Sequence, residues 1–236
     1  MRGLRLSPRR PISMALCGLL LLCAPATADV PAVHLSYADA FDEVCAQQTR
    51  YAINPAWVSE ARSRLPEFQS AWQTTGERLL RATEQIVGKR FAEREFQISL
   101  SVCSFPSMAE PLLVNIRFSL KSFVPGALSP DVTISTMFHE ILHRYLSGRI
   151  PPKSTLLVRA AHEDETVRSH LHLLALQKAV YLKLGLADTL QRVVEKDHAL
   201  PNKSYGRAWD IVNDGQTGAA LVDELKQSRV RTKEVP

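Results

Sequence analysis

Two histidines and a glutamate in one short stretch have the types and spacing of a hydrolytic metal site. The stretch is TMFHEILHRYL, residues 136–146, where His139 and His143 are four residues apart and Glu140 follows the first. Positions four apart share one face of a helix, so both imidazoles can bind one tetrahedral zinc ion. Glu140 lies about 100° further round the turn, where a carboxylate can take a proton from attacking water. The pattern predicts metal-assisted hydrolysis with Glu140 as the general base.

The residues before this motif predict the helix that must position it. Ser129 suits an N-cap, Pro130 fits the first helical position, and Asp131 favours the positive helix end. Apolar residues then recur at three- and four-residue spacings, and Gly148 is placed to end the helix. The motif is therefore expected well inside a helix.

The other periodicities predict a mostly helical α+β domain. Alternating apolar residues indicate two half-buried strands, at 96–102 and 111–120. We expect them in a small mixed or antiparallel sheet, with the second strand pairing with extended substrate through its backbone. Further helices are predicted at 37–48, from Asn54 onwards, from Pro66 to Val87, at 164–185 and at 216–227.

With these elements in place, the chain resembles the zincin metallopeptidases. The resemblance rests on HEILH at 139–143 and on the strand–helix–helix order over about residues 95–185. It implies a zincin-like fold, in which a small sheet packs on the motif helix and a second helix carries another ligand. It also implies that His139 and His143 bind zinc and that Glu140 is the general base. RYLSGRIPPK contains no histidine after the motif, so the chain is nearer to the gluzincin than to the metzincin branch.

The third metal ligand is expected near or on the helix predicted at 164–185. With about 100° per residue, His170 falls in the middle of the apolar arc and should face the motif helix, which makes it the preferred ligand. His172 falls on the polar side and is expected at the surface. Glu163, twenty residues after His143, and Glu165 remain alternatives.

A peptidase also needs a hydrogen-bond donor for the oxyanion that develops during hydrolysis. The stretch NKSYGRAWDIV supplies Tyr205 and Arg207, and His198 lies just before it. All three have suitable chemistry, so they are candidates for this role. Packing of Tyr205 and Trp209 on one helix face is the alternative interpretation.

The first 28 residues read as a secretory signal, followed by a single domain at 29–236. Four arginines precede an apolar stretch at 12–23, and ATA at 26–28 is a suitable cleavage site. The apolar stretch is shorter than the ~20 residues of a membrane span. Removing the four arginines lowers the net charge from +5 to +1. The composition therefore predicts a secreted or periplasmic protein without nucleic-acid partners or a stable membrane span.

Two cysteines, Cys45 and Cys103, remain after the signal is removed. An even pair in an exported chain predicts one disulfide. Their spacing matches neither a metal site nor a Cys-x-x-Cys redox motif.

Together these features predict an exported zinc-dependent peptidase that hydrolyses peptide or protein substrates. The expected metal ligands are His139, His143 and His170. The alternative is a non-catalytic envelope protein on a zincin scaffold, which would bind a peptide or wall fragment with zinc structural or absent.

Overall fold

The computed structural model describes residues 30–228, so the predicted signal at 1–28 lies outside the described residues. Most of the described chain is helical and one small sheet accompanies the helices, which confirms the α+β class. The strands are β1 Ala32–Tyr37, β2 Glu95–Ser101 and β3 Leu113–Asn115. The helices are α1 Asp39–Thr49, α2 Pro55–Val87, α3 Pro130–Leu146, α4 Thr155–Arg159, α5 Glu165–Lys183, α6 Ala187–Ala199, α7 Ser204–Asn213 and α8 Thr217–Gln227.

The sheet is parallel throughout and has the order β1-β2-β3. The expectation of a mixed or antiparallel sheet is therefore wrong. Parallel neighbours need a crossover of about a dozen residues or more, and α1 and α2 provide one between β1 and β2. The sequence analysis missed β1, which pairs Leu35 with Ile98 and packs against α2.

The predicted strand at 111–120 is much shorter in the structure. Only Leu113–Asn115 is extended in the sheet, and a single 3-10 turn follows at Arg117–Ser119. The loop before β3 covers its outer edge: Leu113 exchanges two backbone hydrogen bonds of 2.9 Å with Met108, and the Asn115 N–H donates to Ser107 Oγ at 3.0 Å. Extended substrate therefore does not find a free edge on this strand.

Helix α2 is continuous where the sequence predicted two helices. It begins as expected, with the Asn54 side chain accepting a hydrogen bond from the Ala56 N–H at 2.9 Å. Pro66 lies inside the helix, although an internal proline costs about 3 kcal/mol. Packing of α2 against β1, α3 and α5 offsets that cost. The helix ends at Gly88, whose φ of 74° is the left-handed conformation that glycine adopts without strain.

The predicted disulfide between Cys45 and Cys103 is present. It joins α1 to the segment after β2, with Cα atoms 6.3 Å apart and the cysteines separated by 58 positions in sequence. Both cysteines are buried. The bond therefore links α1 to the chain that leaves the sheet and closes a long loop.

We expect replacement of both Cys45 and Cys103 with Ala to lower the free energy of unfolding by about 2–4 kcal/mol, because the unfolded chain regains the freedom of a long loop. Denaturant titration with and without reductant measures the difference. Reductant should destabilise the native protein and leave the double variant unchanged. Equal stability of the two proteins under oxidising conditions would contradict a stabilising bond.

The second half of the chain is a helical assembly built around α5. This helix contacts α2, α3, α6, α7 and α8. His172, expected at the surface, is fully buried instead, and its Nε2 lies 2.8 Å from Glu224 Oε2 on α8. The prediction was wrong because α8 covers the polar side of α5, which a single-helix projection does not include. Within residues 30–228, no helix has the length and apolarity needed to cross a bilayer.

Candidate metal centre

Three histidines from two helices converge on one point. His139 and His143 lie on α3. His170 lies on α5, which packs against α3. The Nε2 atoms of His139 and His143 are 3.2 Å apart. One ring nitrogen from each of the three histidines lies within 4.8 Å of the other two. The sequence prediction thus named the three histidines that the fold brings together.

The arrangement fits a zinc ion. With zinc–nitrogen bonds of about 2.0–2.1 Å, two ligands of a tetrahedral ion have nitrogens about 3.3 Å apart. The 3.2 Å separation of the His139 and His143 nitrogens is close to this value. The nitrogen of His170 lies within 4.8 Å of both, so it would move inward to reach the same spacing. Many catalytic zinc sites have three protein ligands, such as three imidazoles, and a fourth position open to water or substrate.

The environment keeps the three imidazoles neutral, as metal binding requires. Burial lowers the pKa of His139 well below its usual value, and the neighbouring His170 and His143 lower it further. Burial and the proximity of His170 lower the pKa of His143 to about 4. Burial also lowers the pKa of His170. At neutral pH each ring therefore has a lone pair available to a cation.

Hydrogen bonds orient two of the rings from behind. His139 Nδ1 lies 3.3 Å from Gln177 Oε1, and His170 Nδ1 lies 2.7 Å from the Thr166 carbonyl oxygen. Both acceptors are oxygens, so each Nδ1 carries the proton and each Nε2 is left to bind a metal. Such partners fix the tautomer and orientation of ligating histidines.

Glu140 follows His139 on α3 and carries a buried carboxylate. The residue is only 7% exposed. Burial raises its pKa to about 7, and the positive charge of Lys196 opposes that rise. Among residues 30–228, no side chain forms a hydrogen bond with the Glu140 carboxylate, and its interactions with Lys196 and Tyr205 are through charge alone. The carboxylate is thus free to exchange a proton with a bound molecule.

Tyr205, one of the three candidate oxyanion donors, lies at the centre. Its ring is 4.7 Å from the His170 ring and 6.2 Å from the His139 ring, measured between centroids. Burial raises the pKa of Tyr205, and the charges of Glu140 and Asp197 raise it further. The hydroxyl therefore keeps its proton at neutral pH and can donate a hydrogen bond.

The other two candidate donors are engaged elsewhere. Arg207 Nε donates to Glu163 Oε1 at 3.1 Å, and His198 Nε2 lies 3.4 Å from Asp210 Oδ1. The pairing with Arg207 also occupies Glu163, one of the two alternative metal ligands. Glu165, the other, lies exposed in the first turn of α5. Neither carboxylate belongs to the ligand cluster found in the described part of the chain.

The sequence analysis missed two residues of this centre, Gln177 and Lys196. Gln177 lies two turns after His170 on α5, within about 20° of it around the helix axis. A polar residue on that buried face was the signal that could have revealed it. Lys196, in the last turn of α6, lies close enough to affect the pKa of both Glu140 and His139. Nothing in the sequence distinguishes it from a surface lysine.

Comparison with known proteins supplies no relative. No family model matches the chain, and neither the curated proteins nor the solved structures contain a significant match. Any functional conclusion therefore depends on the chemistry of the centre itself.

Proposed function

We propose that this protein is an exported zinc-dependent peptidase of the zincin type. The observation that carries the proposal is the convergence of three imidazoles on one point, with the buried Glu140 next to His139 on the same helix. His139, His143 and His170 would hold the ion, and Glu140 would act as the general base. Export is proposed from the signal-like pattern at 1–28. A disulfide between Cys45 and Cys103 agrees with an oxidising compartment.

The residues around the centre have complementary tasks in peptide hydrolysis. When bound, zinc supplies Lewis acidity toward a peptide carbonyl and toward water. Glu140 accepts the proton of the attacking water and delivers it to the leaving amine. Tyr205 donates a hydrogen bond to the oxyanion that develops on the carbonyl oxygen. Burial of Glu140 strengthens its interactions with reacting groups, because little water competes there.

The purified protein is expected to contain one equivalent of zinc. Free zinc at 100 times its dissociation constant should raise the free energy of unfolding by about 2.7 kcal/mol, because the folded chain alone offers the assembled site. Elemental analysis gives the stoichiometry, and denaturant titrations in zinc-buffered solutions give the stabilisation. A stoichiometry well below one, with no effect of zinc on unfolding, would exclude a metal centre.

Hydrolysis is tested directly with unstructured polypeptides and quenched fluorescent peptide mixtures. The zinc-loaded protein should cleave them, a chelator should stop cleavage, and added zinc should restore it. Mass spectrometry of the products identifies the bonds that are cut. Bound zinc without cleavage of any peptide would count against the peptidase proposal and leave the metal centre intact.

The second candidate function is a non-catalytic envelope protein that binds a peptide or wall fragment. The observation that favours it is the covered outer edge of β3, where Leu113 and Asn115 already donate their backbone N–H groups to the preceding loop. This edge cannot hold an extended peptide for cleavage, whereas binding of a wall fragment does not require it. Spectra of the cobalt-substituted protein separate the two candidates. An exchangeable fourth position supports catalysis, whereas a closed sphere of four protein ligands supports a structural metal.

A further inference from the structure

A short polar chain lies buried behind the metal centre, at the contact between α3 and α5. It includes Gln177 and Ser135, which are each 1% exposed, and Ser135 also hydrogen-bonds to the buried Tyr181. Gln177 Oε1 lies 3.3 Å from His139 Nδ1, and Gln177 Nε2 donates to Ser135 Oγ at 2.8 Å. Leu173, Leu174, Leu176 and Val180, its neighbours along α5, are buried and apolar.

We propose that Gln177 is a positioning residue, which holds His139 in the tautomer that a metal ion requires. The inference rests on the proposed metal centre and adds to it a residue that contacts no metal. A neutral imidazole carries its proton on one nitrogen and a lone pair on the other. Gln177 Oε1 can only accept, so it places the proton of His139 on Nδ1. The lone pair is then on Nε2, the atom that lies 3.2 Å from His143 Nε2.

The Gln177 amide nitrogen donates to Ser135 Oγ, and the amide oxygen faces the imidazole. Ser135 also hydrogen-bonds to Tyr181. A serine that gives its proton to the Tyr181 oxygen can only accept from the amide, which favours this orientation of Gln177. A half-turn of the amide would present its NH2 group to His139 Nδ1. The proton of the imidazole would then move to Nε2 and block the ligand atom. Ser135 on α3 and Gln177 on α5 therefore act as one orienting unit.

Packing alone does not account for a glutamine at position 177. A buried amide left without partners costs about 1–3 kcal/mol, whereas a leucine would fill a similar volume without that demand. The equivalent partner of His170 is a backbone oxygen, that of Thr166, which any side chain at 166 would supply. His139 has no such backbone acceptor among its hydrogen bonds in the described residues, so its partner must come from a side chain.

Substitution of Gln177 tests the proposal through zinc affinity. Gln177→Leu should weaken zinc binding about 10–100-fold, the usual effect of losing such a partner. Gln177→Glu keeps an acceptor oxygen toward His139 and should restore affinity. Gln191→Leu is the matched control, because Gln191 is exposed on α6 and bonds only to Glu195 among the described residues. Competition with a chromophoric chelator measures all four proteins.

A second measurement needs no metal and separates this proposal from the proposed function. Proton–nitrogen correlation spectra of the metal-free protein report which ring nitrogen of His139 carries the proton. The native protein should show Nδ1–H, and Gln177→Leu should shift the population toward Nε2–H. Ser135→Ala should shift the tautomer population of His139 in the same direction. This variant provides the test if Gln177→Leu does not fold.

The outcomes are distinct. Native zinc affinity in Gln177→Leu, or an unchanged Nδ1–H tautomer in the metal-free variant, would overturn the positioning role of Gln177. If the native protein binds no zinc, the proposed function fails, while the tautomer of His139 still decides whether Gln177 orients it. Loss of affinity in Gln177→Leu with recovery in Gln177→Glu supports the proposal.

Discussion

Replacing Glu140 with Gln is expected to lower kcat/KM for peptide hydrolysis by about 10²–10⁴-fold, the usual contribution of a general base. Glutamine has nearly the same shape but cannot accept the proton of the attacking water. Zinc affinity should stay near the native value, because Glu140 is not one of the three clustered ligands. Steady-state kinetics on a peptide that the native protein cleaves, together with zinc analysis of each preparation, provides the measurement.

Glu77→Gln is the matched control for this prediction. Glu77 has an exposed side chain on α2 and forms an ion pair with Arg81 at the surface. Its replacement makes the same chemical change far from the centre in sequence and should leave kcat/KM unchanged. Hydrolysis that persists at the native rate in zinc-loaded Glu140→Gln would show that the assigned base is wrong.

The parts of the centre that could be predicted from sequence depend on local geometry. The spacing of His139 and His143 fixes their common face on any helix, and Ser129 and Pro130 mark where that helix begins. The preference for His170 came from the same kind of argument, applied to the apolar arc of α5. Each inference needed only the rotation per residue of a regular helix. The zincin resemblance itself, in contrast, stays a proposal.

The errors concern features that depend on distant parts of the chain. His172 was assigned to the surface because the sequence of α5 does not reveal that α8 packs over it. Pro66 was interpreted as a helix start because only tertiary packing allows α2 to continue through it. Strand direction is a third example: β2 pairs in parallel with both β1 and β3, and the sequence of β1, which has one buried residue, gives no clear alternation.

Tyr205 and Lys196 illustrate the same limit at the centre itself. They lie on α7 and α6. The sequence analysis does not predict α6 and gives a helix at Tyr205 only as an alternative, and the fold brings both residues to the imidazoles. The sequence leaves Tyr205 among three candidates, and its ring contact with His170 separates it from the other two. A local pattern can therefore nominate the metal ligands, whereas the residues that complete the centre require three-dimensional contacts.

Replacing His170 with Ala is expected to weaken zinc binding more than about 100-fold, because loss of a ligand should exceed the 10–100-fold effect of losing a ligand's hydrogen-bond partner. Only His139 and His143 would then remain to hold the ion. Hydrolysis at low free zinc should disappear and should return in part at high free zinc. Chelator competition gives the dissociation constant, and circular dichroism establishes that the variant is folded.

Two controls decide whether His170 is the ligand that completes the centre. His162→Ala removes an imidazole whose side chain is 73% exposed, so zinc affinity should not change. Glu163→Gln tests the alternative ligand: Glu163 pairs with Arg207, and its replacement should leave zinc binding at the native level. Strong zinc binding in His170→Ala combined with weak binding in Glu163→Gln would show that Glu163, and not His170, is the third ligand. That result would require Arg207 to release Glu163, a rearrangement that the ion pair and the proximity of His170 to both other imidazoles argue against.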